Sequence, residues 1–392
     1  MRRWGASKAP RRSSACRLAA ERPRGRLPLV VSIVGTRPEA IKMAPVVRSL
    51  ARRPRIRQRL ILTGQHAGLA PHFDLSPDLV RALPYDPRGR TAARLRETLH
   101  RMLCGQFQRE EIDLVLVQGD TASALAGAFA ARDCGIPIGH VEAGLRSFDL
   151  TQPWPEEGNR VAIDAFSDLL FAPTQAAAQN LRRDWRARGR IEVTGNTGID
   201  ALLHTRAGLA PVPPRHDRLI VASCHRKENQ GAPLRSVCAA LRRIAAELPV
   251  SVAVLLHPNR HARAAMEEAL AGERRITRLD ALGYTEMVRL LDQAWLLLTD
   301  SGGLQEEGPA LGKPVLVLRE VTECPEALAT GNIALVGTDD DRICASVAKL
   351  VTDEARYAAM SRPASPFGDG HAAERIVAIV EAWLAARRAR AA

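Results

Sequence analysis

Residues 28–35, PLVVSIVG, form a nearly uninterrupted apolar run that ends in a glycine. Similar β-branched runs recur along the chain, separated by Ala-, Leu- and Arg-rich stretches of helical period. They fall into two sets of six: 28–35, 59–63, 114–118, 136–141, 169–172 and 191–194, then 218–223, 251–256, 275–279, 295–299, 314–318 and 333–336. Continuous apolar strands that alternate with helices indicate parallel sheets buried on both faces. The sequence therefore predicts an α/β fold with two doubly wound domains in tandem.

The domain boundary is predicted from composition. Segment 206–217 (RAGLAPVPPRHD) is rich in proline and poor in apolar pairs, which is typical of a linker. We therefore expect an N-terminal domain over 28–205 and a C-terminal domain over 206–370. Residues 371–392 contain an amphipathic helical stretch whose apolar face must pack on another part of the chain. No apolar run approaches the roughly 18–20 residues of a membrane helix.

The positive charge is concentrated at the N-terminus. The chain carries a net charge of +13, and the first 28 positions hold nine Lys and Arg residues against the single acid Glu21. They contain no apolar core of a signal peptide, so we expect residues 1–27 to be a basic, disordered arm. Nothing beyond this arm favours nucleic-acid binding. The seven cysteines show no C-x-x-C pair and no even framework, which favours a reducing, cytoplasmic setting.

Charge is densest just after the fourth apolar run. The stretches 140–146 (HVEAGLR) and 154–160 (WPEEGNR) together hold three carboxylates, two arginines and a histidine. Ligands of doubly wound sheets bind beyond the carboxyl ends of the strands. Charge beside a buried strand is costly unless it is fully paired or holds a ligand. This region is therefore the first candidate site.

Two further segments suit an anionic ligand. Residues 300–307 (DSGGLQEE) predict a strand end, a glycine turn and a helix start, where free amides favour a diphosphate. Glu307, one turn into that helix, is placed to accept hydrogen bonds from a ribose. Arg37 and Lys42 flank the start of the first predicted helix, where two cations beside free amides attract an anion.

No cofactor or metal is predicted. The chain lacks the G-x-G-x-x-G fingerprint after its first strand, and Gly308-x-x-x-Gly312-Lys313 is one residue short of a P-loop. His257 and His261 are four residues apart, but Pro258 lies between them and no third ligand is nearby.

Seven motifs carry a family resemblance. The chain resembles the non-hydrolysing UDP-N-acetylglucosamine 2-epimerases from about residue 30 to residue 370, in the order of that family. The shared motifs are G-T-R-P-E-A-I-K-M-A-P (35–45), Q-G-D-T (118–121), H-V-E-A-G-L-R (140–146), P-W-P-E-E-x-N-R (153–160), T-G-N-T-x-I-D-A-L-L (194–203), T-D-S-G-G-x-Q-E-E (299–307) and G-K-P-V-L-V-x-R (312–319).

The resemblance implies both a fold and a reaction. The fold is two Rossmann-like domains facing across a cleft, as in GT-B glycosyltransferases, with the last helix crossing back to the N-terminal domain. The reaction interconverts UDP-N-acetylglucosamine and UDP-N-acetylmannosamine by elimination of UDP to 2-acetamidoglucal and re-addition with inversion at C2. The resemblance further implies a UDP-sugar partner, a homodimer, a role in cell-surface polysaccharide biosynthesis and no cofactor.

The resemblance also implies site residues, by motif match. Acid/base work falls to three carboxylates: Asp120, Glu142 and Glu156. His225 joins the catalytic set, and Arg37 and Lys42 share with it the charge of the diphosphate leaving group. Arg160 positions the carboxylates or the sugar. Phosphate and ribose fall to Ser301, Gly302, Gly303 and Glu307.

Departures from the family keep alternatives open. Cys324 stands where the T-E-R-P-E motif has an arginine that contacts the substrate phosphate. Gln65-His66-Ala67-Gly68 keeps only half of the Q-H-R-Q/E segment beside which some bacterial relatives bind a second UDP-N-acetylglucosamine, which argues against that regulation. The alternatives are an epimerase of a modified UDP-2-acetamido sugar, a hydrolysing relative that releases free N-acetylmannosamine, and a non-catalytic nucleotide-sugar binder. A GT-B glycosyltransferase is disfavoured because an acceptor site gives no reason for so many acids.

Overall fold

The computed structural model describes most of the chain: residues 26–73, 75–85, 92–151, 153–211, 213, 217–322 and 325–391. The predicted basic arm lies outside the described residues except at its end, where Arg26 donates to the Asp113 carboxylate at 3.0 Å. Cys324 also lies outside them.

The first half of the described chain forms a parallel sheet of seven strands. Their order across the sheet is β3-β2-β1-β4-β5-β6-β7. The strands are β1 Leu29–Val34, β2 Arg57–Leu62, β3 Val80–Ala82, β4 Leu114–Gln118, β5 Ile138–Val141, β6 Leu169–Ala172 and β7 Arg190–Val193. All six residues of β1 are buried, as a central strand covered on both faces requires.

The second half repeats the architecture with six parallel strands. Their order is β10-β9-β8-β11-β12-β13, which matches the arrangement of the first six strands of the other sheet. The strands are β8 Arg218–Ser223, β9 Val250–Leu255, β10 Ile276–Leu279, β11 Leu296–Thr299, β12 Val315–Val317 and β13 Ile333–Leu335. Two doubly wound sheets confirm the predicted fold class.

Fourteen α-helices are found among the described residues, most of them connecting consecutive strands. They are α1 Arg37–Ala51, α2 Ala92–Phe107, α3 Ala122–Asp133, α4 Glu156–Phe166, α5 Gln175–Arg183, α6 Thr197–Ala207, α7 Ala232–Glu247, α8 Arg260–Ala269, α9 Tyr284–Gln293, α10 Gly302–Ala310, α11 Pro325–Ala329, α12 Asp340–Thr352, α13 Glu354–Met360 and α14 Ala372–Ala391. None of these helices is long and apolar enough to cross a membrane.

All twelve predicted strands are present, but the count for the first sheet was one short. The missed strand is β3, which has only three residues, all at least partly exposed at the edge of the sheet. It therefore lacks the apolar run that marks the other strands. In both sheets the strand order reverses beside the first strand, between β1 and β4 and between β8 and β11. Such switch points open a crevice at the carboxyl ends of the strands.

The last helix packs on the first sheet. Buried residues of α14, among them Ile376, Val377 and Val380, share a core cluster with α1 and β1. Its N-terminus is held by Asp200 of α6, whose carboxylate accepts from the amides of Ala372 and Ala373 at 3.2 and 2.7 Å. The domain boundaries proposed from composition stay predictions. Helix α6 runs to Ala207 and so extends into the predicted linker.

Candidate active site

A cavity of about 490 Å³ lies at the switch point of the first sheet. It is bounded by the carboxyl ends of β1, β4 and β5 and by the start of α4. Four of the predicted site residues line it: Lys42, Asp120, Glu142 and Glu156. The fold thus brings together, from four separate motifs, the three predicted acids and one of the predicted cations.

The turn between β1 and α1 is built by tight packing and a helix cap. A Cβ atom at Gly35 would lie 1.9 Å from Ser123 Oγ, so only glycine fits there. Thr36 caps α1, and Glu39 completes the capping box by accepting from the amides of Gly35 and Thr36 at 2.9 and 2.6 Å. This cap sets the direction of α1, whose second turn carries Lys42.

Glu142 lines the cavity and is held by several donors. Its carboxylate accepts hydrogen bonds from the ammonium group of Lys42 and from the side-chain amide of Gln118, and Asn196 Nδ2 donates to it at 3.1 Å. Its backbone φ is +67°, in the left-handed region that a non-glycine residue rarely adopts. Such strain persists only where the surroundings hold it, and it clusters at functional sites.

Lys42 is a buried cation among acids. Burial by itself lowers the pKa of Lys42, but the carboxylates of Glu142 and Glu306 outweigh it, so the pKa lies above its ordinary value. The ammonium group is therefore charged at neutral pH. It provides fixed positive charge at the point where α1 meets the second half of the molecule.

Asp120 forms a second acid position in the cavity. Its carboxylate pairs with Arg160 of α4, and its backbone carbonyl accepts from Asn159 Nδ2 at 2.7 Å. Burial raises the pKa of Asp120, the Arg160 guanidinium opposes this shift, and Glu142 and Glu156 add to it. Neighbouring carboxylates at different distances from cations favour different protonation states at one pH.

The neighbouring acid Glu157 has a different task from Glu156. It is buried and accepts from the backbone amides of Ser147 and Phe148 at 3.0 and 3.2 Å. Glu157 therefore holds the loop between β5 and α4, whereas Glu156 faces the cavity. The motif's two adjacent glutamates are thus divided between structure and cavity.

The histidine and one arginine of the densest charge cluster do not face the cavity. His140 Nδ1 and Arg146 each contact the Asp164 carboxylate at 2.6 Å, and Gly144 N donates to it at 3.2 Å. The side chains of His140, Arg146 and Asp164 are almost completely buried. They form a closed structural network away from the cavity, whereas Glu142 of the same cluster lines it, and the assignment of Glu142 to a ligand stays a prediction.

The switch point of the second sheet is built around Asp300. Its buried carboxylate accepts from the amides of His225 and Arg226 at 2.9 Å and from Asn229 Nδ2 at 2.9 Å. This fixes the loop after β8. The ring of His225 lies edge-on to His257, and its buried Nε2 has no hydrogen-bond partner within the described chain. A buried polar atom without a partner is an available contact for a ligand.

Helix α10 begins beside this loop without a side-chain cap. Ser301 occupies the N-cap position and makes no capping bond, and the first backbone bond joins Gln305 N to Ser301 O at 3.4 Å. The amides of Gly302 and Gly303 are therefore uncapped, as an anion site requires. Burial raises the pKa of Glu307 to about 7, with Lys42 opposing the shift.

Several hydrogen bonds join the two halves of the molecule across the cleft. The Arg37 guanidinium donates to the carbonyl oxygen of Leu282 at 2.9 Å, so this predicted residue lies between the halves. Thr174 Oγ1 donates to Glu326 at 2.8 Å. Asn196 Nδ2 donates to Glu306 at 2.8 Å in addition to its bond with Glu142.

Sequence reasoning assigned no role to three of these groups: Gln118, Asn196 and Glu306. All three lie inside the matched motifs. Two of them are neutral amides, which give no charge signal, and the third has a partner distant in sequence. Among the described residues, no three His, Cys, Asp or Glu side chains are grouped in a way that would hold a metal ion.

Comparison with known proteins gives one family. Residues 48–381 match the family model described as UDP-N-acetylglucosamine 2-epimerase. The chain is 40% identical over 368 residues to the UDP-N-acetylglucosamine 2-epimerase of Escherichia coli K12, covering 89% of this chain and 97% of that protein. It is also 40% identical over 374 residues to the Salmonella typhimurium enzyme of the same name, covering 90% and 98%. The Neisseria meningitidis UDP-GlcNAc 2-epimerase, solved with UDP-GlcNAc bound, superposes with a TM-score of 0.82 at 33% identity, covering 90% and 99%.

Proposed function

The chain belongs to the UDP-N-acetylglucosamine 2-epimerase family, and on that premise we propose that it interconverts UDP-N-acetylglucosamine and UDP-N-acetylmannosamine. The observation that carries the proposal is the cavity at the first switch point, where Asp120, Glu142 and Glu156 converge beside Lys42. Binding of a nucleotide sugar alone would not require three acids in one cavity.

The chemistry explains why several acids are needed. The proton at C2 of the sugar is next to no carbonyl group, so its direct removal is slow. If UDP leaves C1 first, the C2 proton becomes removable and 2-acetamidoglucal forms. UDP then adds back to C1 while a proton reaches C2 from the opposite face. The reaction therefore needs acid/base groups on both faces of the ring and a cleft that retains the intermediate.

The three carboxylates divide this work between them. Glu142 is held in place by three hydrogen-bond donors, including the Lys42 ammonium group, and its place in the cavity wall suits it to take the C2 proton as a base. Burial and its acidic neighbours raise the pKa of Asp120, which suits it to return a proton as an acid. Glu156 comes from a different element, the start of α4, and so reaches the ring from another direction. Arg160 positions Asp120 through their ion pair.

The departing diphosphate needs positive charge and hydrogen-bond donors. The uncapped N-terminus of α10 supplies the amides of Gly302 and Gly303 beside Ser301. His225, with its unpartnered Nε2, lies on the adjacent loop, and Lys42 and Arg37 approach from the opposite half. Glu307 is assigned to the ribose. These assignments combine the family motifs with the contacts of this chain.

The wider setting is proposed on the same basis. The enzyme acts as a homodimer in the cytoplasm, without a cofactor, and supplies UDP-N-acetylmannosamine for cell-surface polysaccharide. The elimination route moves no electrons to or from the protein, which is why a redox cofactor is not required.

Incubation with UDP-N-acetylglucosamine in deuterated water tests the function directly. Both epimers recovered at equilibrium are expected to carry deuterium at C2 by NMR. Stoichiometric free UDP with free N-acetylmannosamine would identify the hydrolysing activity instead. Substrate recovered unlabelled and unconverted would contradict the proposal for this sugar, and a panel of diacetamido and uronic-acid UDP-sugars would then locate the substrate.

A further inference from the structure

One side-chain amide joins an acid of the first half to an acid of the second. Asn196, in the loop between β7 and α6, donates from Nδ2 to Glu142 Oε1 at 3.1 Å and to Glu306 Oε2 at 2.8 Å. Glu142 follows β5 of the first sheet, whereas Glu306 lies in the middle of α10, which follows β11 of the second. The amide therefore links the cavity acid to the opposite wall through two hydrogen bonds.

The orientation of this amide is fixed. Its oxygen accepts from Gly198 N at 2.9 Å as the N-cap of α6, and its backbone N–H donates to Phe367 O at 2.6 Å. Asn196 is 2% exposed. A flipped amide would leave Gly198 N without an acceptor and would turn a carbonyl oxygen towards two carboxyl groups. The amide can therefore only donate to Glu142 and Glu306.

Glu306 sits among charges from every element that surrounds it. Lys42 of α1 and Glu142 face it from the first half, and Glu307 of α10 and Glu326 of α11 face it from its own half. Lys42 also holds Glu142 directly. Glu306 thus belongs to a network in which Lys42 and Asn196 both donate to the Glu142 carboxylate.

We propose that Glu306 is a positioning residue for the epimerisation. Its carboxylate accepts a hydrogen bond from one N–H of the Asn196 amide, which directs the other N–H to the Glu142 carboxylate. The inference rests on the proposed function, in which Glu142 exchanges the C2 proton. Because Glu306 belongs to the second half, Glu142 is fully oriented only when the two halves stand opposed across the cleft. Closure on a substrate and orientation of the base are then one event.

A double-mutant cycle on C2 deuterium incorporation tests this. Glu306→Ala is expected to lower kcat roughly 10- to 100-fold with KM nearly unchanged, because the base is misplaced while the substrate contacts remain. Asn196→Ala should cause a similar loss, and the double variant should be no slower than Asn196→Ala alone. Glu306→Gln should recover most of the activity, since its carbonyl oxygen still accepts from Asn196.

The control removes another acid that bonds across the cleft. Glu326→Ala breaks the contact with Thr174 but does not reach Asn196, and it should retain at least tenfold more activity than Glu306→Ala. Multiplicative losses in the double variant, an effect on KM alone, or an unchanged Glu306→Ala would each overturn the positioning role. If Glu306→Ala does not fold, the comparison of Glu306→Gln with Asn196→Ala carries the same test.

The wild-type protein separates the two proposals. If wild type incorporates deuterium and Glu306→Ala is equally active, only the positioning role of Glu306 is contradicted. Wild type that neither labels nor converts the sugar contradicts the proposed function. In that case the urea midpoints of wild type, Glu306→Ala, Asn196→Ala and the double variant decide whether Asn196 and Glu306 are coupled. Non-additive midpoint shifts support the Asn196–Glu306 link, and additive shifts contradict it.

Discussion

Two acid-centred groups lie side by side at the end of β5, and they serve opposite purposes. In the Asp164 group, His140, Arg146 and Gly144 N occupy the carboxylate, and no member lines the cavity. In the Glu142 group, the carboxylate is also well supplied with donors, but it lines a cavity of about 490 Å³ and stands on a left-handed backbone. His140 and Glu142 are only two residues apart.

The difference shows that the density of charge in a sequence does not by itself identify a site. Both groups place costly charge beside a buried strand. One recovers that cost by complete internal pairing and stabilises the fold, whereas the other leaves its acid accessible to a ligand and stores backbone strain. Removal of each acid in turn should therefore affect either activity or stability.

The largest effect is expected from Glu142→Gln. The amide side chain keeps the size and much of the hydrogen bonding but cannot take the C2 proton, so the rate of C2 deuterium incorporation should fall by about 10²–10⁴-fold. The loss of this charge weakens the buried pair with Lys42, so the free energy of unfolding should also fall, but by less than in Asp164→Ala because Glu306 still faces Lys42. A variant that loses stability but keeps its rate would place Glu142 in the same structural class as Asp164.

Asp164→Ala should show the reverse pattern. It leaves His140 and Arg146 buried without their partner, and the free energy of unfolding should fall by about 3–5 kcal/mol in urea titrations. Asp184→Ala is the control, because Asp184 contacts Arg146 only at 3.5 Å and also pairs with the exposed Arg186. Equal losses of free energy of unfolding in both variants would mean that Asp164 stabilises the fold no more than Asp184 does.

The stability of the protein should depend on pH through Glu307. Burial raises the pKa of Glu307 from the ordinary value of 4.5 to about 7, so the folded state binds a proton that the unfolded state has released. Its stabilising contribution is complete below the unfolded pKa and is lost as pH rises through about 7. The urea midpoint of the ligand-free protein should therefore fall from pH 5 to pH 8.

Glu307→Gln isolates that contribution. The variant should lose part of the pH slope because its amide does not titrate, while groups elsewhere keep theirs. Identical slopes for wild type and variant between pH 5 and pH 8 would show that Glu307 is ionised throughout.

The smallest effect is expected at the cap of α1. Thr36→Ala removes half of the capping box and should lower the free energy of unfolding by about 1 kcal/mol. Because α1 carries Lys42, activity should fall only slightly, in proportion to a less firmly held helix. A large loss of activity with normal stability would show that Thr36, which also lines the cavity, contacts the substrate.

The sequence predicted the sheets well because each central strand is an apolar run. It missed β3, whose three residues lie at an edge and are partly exposed. The convergence of Lys42, Asp120, Glu142 and Glu156 on one cavity could be predicted from their motifs, while their roles stay predictions. The division between Glu156 and Glu157, and between Glu142 and His140, was not, because it depends on which way each side chain turns. Asn196 and Gln118 carry no charge, and the partner of Glu306 is more than a hundred residues away.

The course of the last helix limits how the molecule can move. The chain leaves the first sheet after α6, builds the second sheet, and returns so that α14 packs on α1 while Asp200 holds its first turn. The second half is therefore connected to the first at both of its ends rather than by a single linker. Two nearby attachments favour a hinge motion, in which the second half rotates about the line between them, and they resist sliding or twisting of one half against the other. We therefore expect the cleft to open and close by rotation about these attachments, with little sliding of one wall along the other.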